Sequence, residues 1–469
     1  PGTLAIGPLT ATAMPRDLVV TVLNGSELLE MARVRDVSIQ NGQQLTYTAE
    51  VRKPLIFVGA TLPIEPGGSK VLSATEILDG NIDLVHPPAA SLQKPVAIPN
   101  DVAAGSVTSD GRFFIAGRPN GLSVFDTGRA VMVGDVALPF QPTRVATSAR
   151  DVAVAALGAR GADGAVAIIT DVAGLGDAPA NVAVAGMGTL RAQLPRAAAF
   201  APDGQKLYVL TGGTDVLDPC DVSPPAANTV LTVGLDGQVQ TTWTLPSFGA
   251  DLAVDPTSGN VIVALPSANK VAVIDAIAGN GAVEPMTLFP VTCPATIAVS
   301  NGQVLAVSGG QDPVFGAGSF DIARFPLAGG SGPPSTVAVS TSVFEQPDGN
   351  PGPNFNQVIR LLPHSLAGYE LALTPDGNRA VFGSRTHFLV TGGDLGFGGC
   401  KITFDVVEYG RYDVDLRSGA AAYELRSQLK NGTCETHCDD GFFPPTTVQC
   451  QMLQSGDRVA GIAAVFGGP

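Results

Sequence analysis

The stretch AAFAPDGQKLYVL, residues 198–210, decides the fold of this chain. A short apolar run enters Pro202-Asp203-Gly204, and an alternating apolar run leaves it. Alternation over a few positions is a strand signal, while Pro, Asp and Gly each favour a tight turn for a different steric reason. The stretch therefore predicts a β-hairpin.

The same pattern of an apolar run, a tight turn and a second apolar run recurs along the chain. Further hairpins are predicted at GSVTSDGRFFIAG (105–117), VATSARDVAVAAL (145–157), LAVDPTSGNVIVAL (252–265), IAVSNGQVLAVSG (297–309) and LALTPDGNRAVFG (371–383). Most of them are followed by a second strand pair, such as NTVLTVGLDGQVQTTWTL (228–245). A unit of four antiparallel strands that repeats every few tens of residues predicts an all-β fold, a β-propeller of four-stranded blades.

The number of turns predicts the number of blades. Turns of the inner hairpins fall near residues 52, 110, 150, 203, 258, 301 and 376, and an eighth lies at 455–457. The C-terminal hairpin (448–467) lacks outer strands, and the N-terminal hairpin (17–34) lacks inner ones. We therefore expect eight blades, with these two hairpins joined two-plus-two in one blade so that no sheet edge stays exposed. Seven blades plus a separate terminal hairpin is the alternative.

Several of these segments resemble a known repeat family. FAPDGQKLYVL (200–210), VTSDGRFFIAG with LSVFDTG (107–117 and 122–128) and KVAVID (270–275) are similar to the bacterial YVTN or surface-layer-type propeller repeats. The resemblance implies a propeller. Because that group includes lactonase-like members, it also implies that an enzyme is one of the functions open to the chain.

Composition and charge exclude some classes of function. Charged residues make up 15% of the chain and the net charge is -15. Since no Lys/Arg cluster is present to neutralise phosphates, we do not expect nucleic-acid binding. No apolar run reaches the ~18 residues of a membrane span. The most apolar stretch is interrupted by Arg160 and Asp163.

The cysteines predict the compartment. There are six, namely Cys220, Cys293, Cys400, Cys434, Cys438 and Cys450. An even number with three near one end fits an oxidising compartment, although buried thiols in a cytosolic protein are the alternative. The chain begins at Pro1, so we expect a secreted, periplasmic or cell-surface protein whose leader has been removed. A lipid anchor upstream of Pro1 would fit this expectation.

Strand order sorts the connecting segments between two faces. The connections between blades and the loops between second and third strands emerge on one face, named here the long-loop face. The Pro-Asp-Gly turns emerge on the other, the turn face. We expect residues 1–469 to form a single propeller with inter-blade insertions at 341–369 and 427–450. Together with long loops at 212–228, 309–319 and 384–400, both insertions fall on the long-loop face, the expected recognition surface.

All six cysteines fall on the same face, and bridges there would rigidify the insertions. We expect Cys220 to pair with Cys293, Cys400 to pair with one of the C-terminal trio, and the remaining two to pair with each other. A zinc site is the alternative for the trio, since Cys434, His437 and Cys438 lie close together in sequence.

Other candidate ligands and catalytic groups are few. Asp215, Asp312 and Asp394 follow Gly-Gly pairs on long loops and could hold Ca²⁺, although Asp beside Gly also serves in tight turns. No other cofactor is expected. The histidines are His86, His364, His387 and His437, and no nucleophile motif accompanies them.

Two functions remain open from the sequence. The first is an exported, non-enzymatic binding or scaffold propeller that recognises a protein or small ligand on the long-loop face. The second is a lactonase-like or lyase-type enzyme with a site in the central funnel. The residues available for that site are Arg324, His364, Arg385 and His387. A tight cluster of these groups would favour the enzyme.

Overall fold

The computed structural model of the chain describes residues 16–24, 27–38, 40–42, 44–48, 55–61, 73–79, 92–98, 104–109, 111–126, 131–149, 152–176, 182–212, 228–276, 286–300, 302–308, 310–312, 318–327, 334–341, 355–363, 371–373, 378–393, 401–435, 447–451, 455–456 and 458–465. Helical structure in these residues amounts to two short 3-10 segments, Ala173–Gly176 and Pro266–Ala268, and the single residue Ala149. No helix in this part of the chain is long and apolar enough to cross a membrane.

The described strands occur along the chain from Arg16 to Val465. The first half contains β1 (Arg16–Asn24), β2 (Glu27–Val37), β3 (Leu55–Thr61), β4 (Ser73–Asp79), β5 (Leu92–Ile98), β6 (Ala104–Val107), β7 (Phe113–Arg118), β8 (Gly121–Asp126), β9 (Val131–Ala137), β10 (Gln141–Thr147), β11 (Val154–Arg160), β12 (Asp163–Ile169), β13 (Gly186–Leu190), β14 (Pro195–Phe200), β15 (Lys206–Thr211), β16 (Thr229–Gly234) and β17 (Val239–Thr244). The second half contains β18 (Asp251–Val254), β19 (Val261–Leu265), β20 (Lys270–Ile274), β21 (Met286–Pro290), β22 (Pro294–Ser300), β23 (Gln303–Ser308), β24 (Gly310–Asp312), β25 (Gly318–Pro326), β26 (Ser335–Thr341), β27 (Phe355–Pro363), β28 (Ala372–Leu373), β29 (Arg379–Gly393), β30 (Lys401–Asp415), β31 (Ala421–Glu435), β32 (Thr447–Gln451), β33 (Ser455–Gly456) and β34 (Arg458–Val465).

These strands pair into antiparallel sheets that follow chain order. Within the described residues, the four-stranded sheets are β34-β3-β4-β5, β6-β7-β8-β9, β10-β11-β12-β13, β14-β15-β16-β17, β18-β19-β20-β21 and β22-β23-β25-β26. A larger sheet has the order β24-β27-β29-β30-β31-β32, with β28 beside β29 and β33 beside β31. The prediction of an all-β, propeller-type repeat of four-stranded antiparallel sheets is confirmed.

The hairpin at 198–210 forms for the reasons the sequence gives. Gly204 has a φ of 70°, which glycine adopts without steric cost, and its N–H donates to the Ala201 carbonyl at 2.9 Å. The Asp203 carboxylate accepts the Gln205 N–H at 2.9 Å. Strands β14 and β15 then pair from Phe200 opposite Leu207 onward. Turn chemistry therefore sets the hairpin register.

A sheet such as β14–β17 is buried on both faces, with one face packed against the preceding sheet and the other against the next. On β15, Leu207 and Val209 belong to the core shared with the preceding sheet, while Tyr208 and Leu210 belong to the core shared with the next. Successive residues on a strand point to opposite faces, so one apolar strand can serve two cores. Five such cores join consecutive sheets from β6–β9 to the sheet that contains β28–β31. This face-to-face stacking explains why middle strands such as β15, β16 and β19 are apolar on both faces.

The predicted two-plus-two pairing of the terminal hairpins is wrong for the described residues. Strands β1 and β2 pair only with each other there, while β34 pairs with β3 from Leu55 opposite Val465 to Thr61 opposite Arg458. The preceding strand β32 pairs with β31 and not with β34. The apolar β34 therefore finds its partner in the free edge of β3, and one C-terminal strand joins three N-terminal ones.

Candidate functional site

The long-loop face carries a group of buried and partly buried polar residues at the starts of the first strands. Asp251 begins β18, and its carboxylate reaches β22 of the next sheet. The Thr296 hydroxyl donates to Asp251 Oδ2 at 2.7 Å, and the Ile297 N–H donates to the same oxygen at 2.9 Å. The Leu252 N–H donates to Oδ1 at 2.8 Å. Asp251 thus ties two sheets together at their seam.

Burial raises the pKa of Asp251 above its ordinary value of 3.8. The three donors and the nearby Arg144 oppose that shift, but desolvation dominates. The residue nevertheless keeps part of its surface exposed. The carboxylate is therefore surrounded by protein on most sides, while part of the residue stays accessible.

Two arginines make similar contacts between the preceding pairs of neighbouring sheets. Arg144, on β10, donates from Nε to the Arg196 carbonyl oxygen of β14. The Arg196 guanidinium lies over the Phe248 ring, 4.5 Å from its centroid, in the segment that leads into β18. A cation over an aromatic face is attracted by the ring quadrupole. Arg196 is 4% exposed, so this contact is buried.

The base of the loop at 212–228 is also polar and buried. The Thr211 and Thr229 hydroxyls, at the ends of β15 and β16, lie 2.7 Å apart. Asn228 is 2% exposed, and its backbone carbonyl oxygen accepts the Leu245 N–H at 3.0 Å. The loop thus leaves the sheet from a hydrogen-bonded base. Residues 213–227, with Cys220 and Asp215, lie outside the described residues.

Cys293 lies where the sequence places it, in the connection between β21 and β22. It is disulfide-bonded and 4% exposed, and its N–H donates to Asn269 Oδ1 at 2.8 Å. Its predicted partner, Cys220, lies outside the described residues, as do Cys400 and Cys438. The predicted pairings therefore stay predictions. Only the backbone of Cys434, on β31, and of Cys450, on β32, is described.

Four of the five predicted loops and insertions supply strands to one sheet. Strand β24 comes from the loop at 309–319, and β27 comes from the insertion at 341–369. The prediction of a loop at 384–400 is wrong for its first ten residues, because β29 continues to Gly393 and pairs with β30 along its whole length. In the insertion at 427–450, β31 continues to Glu435 and pairs with β32. We call this assembly of β24, β27, β32 and residues 384–393, 401–410 and 426–435 the projecting sheet.

The register sorts the residues of the projecting sheet between two faces. One face carries Phe388 on β29, opposite Ile359 and Val406. By two-residue alternation this face continues from Phe382, which is 1% exposed in the core shared with the β22–β26 sheet. The other face carries Arg385 and His387. His387 therefore lies in a strand and not, as predicted, in a loop.

The candidate catalytic residues do not form one group. Arg324 donates to Gln303 Oε1 at 3.3 Å and to the Leu416 carbonyl at 3.5 Å. Those partners lie at the turn face, since Gln303 begins β23 and Leu416 follows β30. Arg385 and His387 lie on the projecting sheet, at the opposite end. His364, His86 and His437 are outside the described residues.

The predicted calcium ligands are not tested by the described residues. The backbone of Asp312 ends β24 opposite Ile359, while Asp215 and Asp394 are outside. In the described part of the chain, no group of three His, Cys, Asp or Glu side chains could hold a metal ion. Calcium stays a prediction.

Sequence reasoning missed the Asp251 group and Arg360. Aligning the repeats by their turns would have shown Asp251 where the neighbouring first strands have Ala197 and Thr296, since a carboxylate in an otherwise small or neutral position is a signal. Arg360 lies in an alternating run within the insertion at 341–369. Its position beside His387 becomes visible only from the pairing of β27 with β29.

Comparison with known proteins adds fold-level matches only. No protein-family model and no curated protein matches the chain. Among solved structures, Kuenenia stuttgartiensis hydrazine synthase is 13% identical over 65% of this chain and 96% of that one, with a TM-score of 0.40. The RRP9 WD40 repeats are 11% identical over 65% and 87% (TM-score 0.41), and a chain of the mitotic checkpoint complex is 13% identical over 66% and 82% (TM-score 0.42). The YVTN resemblance stays a prediction, and the propeller architecture rests on the sheets themselves.

Proposed function

We propose that this protein is an exported, non-enzymatic binding scaffold of the periplasm or cell surface. It recognises a protein or ligand through the long-loop face. The observation that carries the proposal is the projecting sheet, which gathers strands from four separate connecting segments onto that face. Sites built on strands are held more rigidly than sites on free loops.

The size of the projecting sheet favours recognition of a large partner. Strands β29, β30 and β31 have 15 residues each. About ten residues of each lie beyond the blade, which at ~3.3 Å per residue makes an arm roughly 30 Å long. Such a platform exceeds what a blade needs for its own packing.

The scaffold itself is a ring of seven blades with a separate N-terminal hairpin. Its support is the pattern of first-strand contacts, which runs β34, β6, β10, β14, β18, β22, β28 and back to β34. In this arrangement β28–β31 form the blade that carries the projecting sheet, and β34 closes the ring with β3–β5. Closure of this kind leaves no free edge between the first and last blades.

Export is supported by Cys293, which is disulfide-bonded. Disulfides persist in oxidising compartments and are rare in the cytosol. Fractionation of the producing cells, with trypsin digestion of intact cells, tests the location. Recovery in the cytosolic fraction with Cys293 reduced would contradict it.

The binding role is tested by site-specific photo-crosslinking in the cells that make the protein. A benzophenone amino acid is placed at Thr391 of the projecting sheet or at Asp236, which is exposed in the β16–β17 turn on the turn face. We expect a discrete crosslinked partner from Thr391 and none from Asp236. Equal crosslinking at both positions, or none at either, would overturn the assignment.

A further inference from the structure

Three basic residues from two distant segments meet on one face of the projecting sheet. Arg360 on β27 is the register partner of His387 on β29, and Arg385 lies two residues from His387 on the same face. Arg360 and Arg385 are therefore diagonal neighbours on adjacent strands, roughly 7–8 Å apart. We call Arg360, Arg385 and His387 the basic cluster.

The sheet supplies no carboxylate residue in the rows of this cluster. Arg360 stands between His387 and Gln311 of β24, and Arg385 stands between Leu362 and Tyr409. Across the described strands, the nearest acidic position on this face is Asp405, which pairs with Leu389 and is a diagonal neighbour of His387 but of neither arginine.

Arg411 provides a contrast on the same face. It is a diagonal neighbour of Arg385, but it stands opposite Glu424 of β31, so the register places an acidic residue beside this arginine. Like charges placed opposite or diagonally across strands destabilise a sheet, whereas opposite charges stabilise it. In a chain with a net charge of -15, Arg360 and Arg385 have no acidic register or diagonal neighbour on the described strands, so the described sheet does not itself supply an anion for them.

We propose that the basic cluster binds an extended acidic peptide segment of a partner protein, with alternate carboxylates on Arg360 and Arg385. This inference rests on the proposed role of the long-loop face in recognition. Arginine holds a carboxylate through two parallel N–H···O bonds. In an extended peptide, side chains at i and i+2 are about 6.6 Å apart, which matches the diagonal spacing of the two arginines.

The test measures binding of synthetic peptides to the full chain by calorimetry at low salt. The probe is a hexapeptide of alternating Glu and Ser, and the comparison peptides are the Gln/Ser version and a Glu-Glu-Ser-Ser-Glu-Ser version of equal charge, in which no two Glu residues are two positions apart. We expect the alternating peptide to bind at least about tenfold tighter than either, because only it offers a carboxylate to each arginine at the right spacing.

Variants assign the binding to the cluster. Arg360→Gln and Arg385→Gln should each weaken binding of the alternating peptide by about tenfold or more. Arg411→Gln is the matched control, because it removes an arginine from the same face where Glu424 is already present, and Lys206→Gln controls for net charge at the turn face. Both should bind within about twofold of the wild-type chain. Thermal unfolding of each protein establishes that it is folded.

Each contrary outcome overturns the proposal in a different way. Equal affinity for the two charged peptides would leave only general charge attraction. If Arg411→Gln loses as much affinity for the alternating peptide as Arg360→Gln does, binding does not depend on the basic cluster. Tight binding of oligogalacturonate without peptide binding would make the ligand an acidic polysaccharide. If the peptides fail while Thr391 still crosslinks a partner, the ligand class is wrong and the recognition role stands; if both fail, the role falls as well.

Discussion

Single polar residues join neighbouring sheets at the long-loop face. Arg144 reaches from β10 to the backbone of β14, Arg196 reaches from β14 to Phe248, and Asp251 reaches from β18 to Thr296 and Ile297 on β22. These contacts lie beside apolar seams where an unpaired polar group would be costly. Each group is therefore held by a defined partner on the next sheet.

Asp251 makes stability depend on pH in a specific direction. Because its pKa is raised in the folded chain, the folded state holds the proton more tightly than the unfolded state does. Stability falls as pH rises from about 3.8 through the raised folded pKa, and is unaffected by this group below that range.

We therefore expect Asp251→Asn to flatten the pH dependence of the free energy of unfolding. The wild-type chain should lose stability relative to the variant as the pH is raised above 4, because Asn has no proton to lose. Urea unfolding of both proteins across that range measures the difference. Parallel curves would mean that Asp251 is not desolvated in the folded state.

Thr296→Val tests the hydroxyl that Asp251 accepts. The substitution keeps the shape of the side chain but removes one of three donors to a desolvated carboxylate, and Thr296 is 1% exposed. We expect a loss of about 1–3 kcal/mol in the free energy of unfolding. Thr242→Val, at an exposed position of β17, is the control and should change stability by less than about 0.5 kcal/mol.

The outermost strand of one sheet can lie directly against a turn of the next sheet, and this limits the size of the residues there. The fourth strand β13 lies so close to the β16–β17 turn that a Cβ at Gly188 would overlap the Gly237 carbonyl oxygen. Glycine is required there because of this backbone approach.

Gly188→Ala should accordingly destabilise the chain by about 1–3 kcal/mol, since the turn of the next sheet must shift to make room. Its neighbour Thr189 is exposed, so Thr189→Ala should leave stability nearly unchanged. Guanidinium unfolding of the two variants provides the comparison. Equal stabilities would show that the two sheets separate at this point without cost.

At the scale of the whole molecule, one strand pairing links the two ends of the chain. Val58 of β3 is the register partner of Ile462 of β34. We expect the Val58→Cys/Ile462→Cys double variant to form a disulfide on mild oxidation, because partner residues in antiparallel strands lie within disulfide reach.

Val20→Cys/Ile462→Cys is the matched control, since β1 pairs with β2. Peptide mapping by mass spectrometry identifies the bond among the native cysteines. A bond in the control and none in the first variant would restore the two-plus-two closure and, with it, the eight-bladed count.

The sequence by itself determined the hairpins, their turns, the four-stranded unit and the apolar character of the strands. These are local properties, because alternation and turn residues act over a few positions, as at Asp203 and Gly204. It also predicted that the long segments share one face, which follows from strand direction alone.

Only the tertiary structure decided the partners of those strands. The pairing of β34 with β3, the extension of β29 to Gly393, the bond from Thr296 to Asp251 and the placement of Arg360 beside His387 all join residues far apart in sequence. No local pattern encodes such choices, because which edge is free and how near it lies depend on how all the sheets stack. The recognition role proposed for the projecting sheet depends on that stacking.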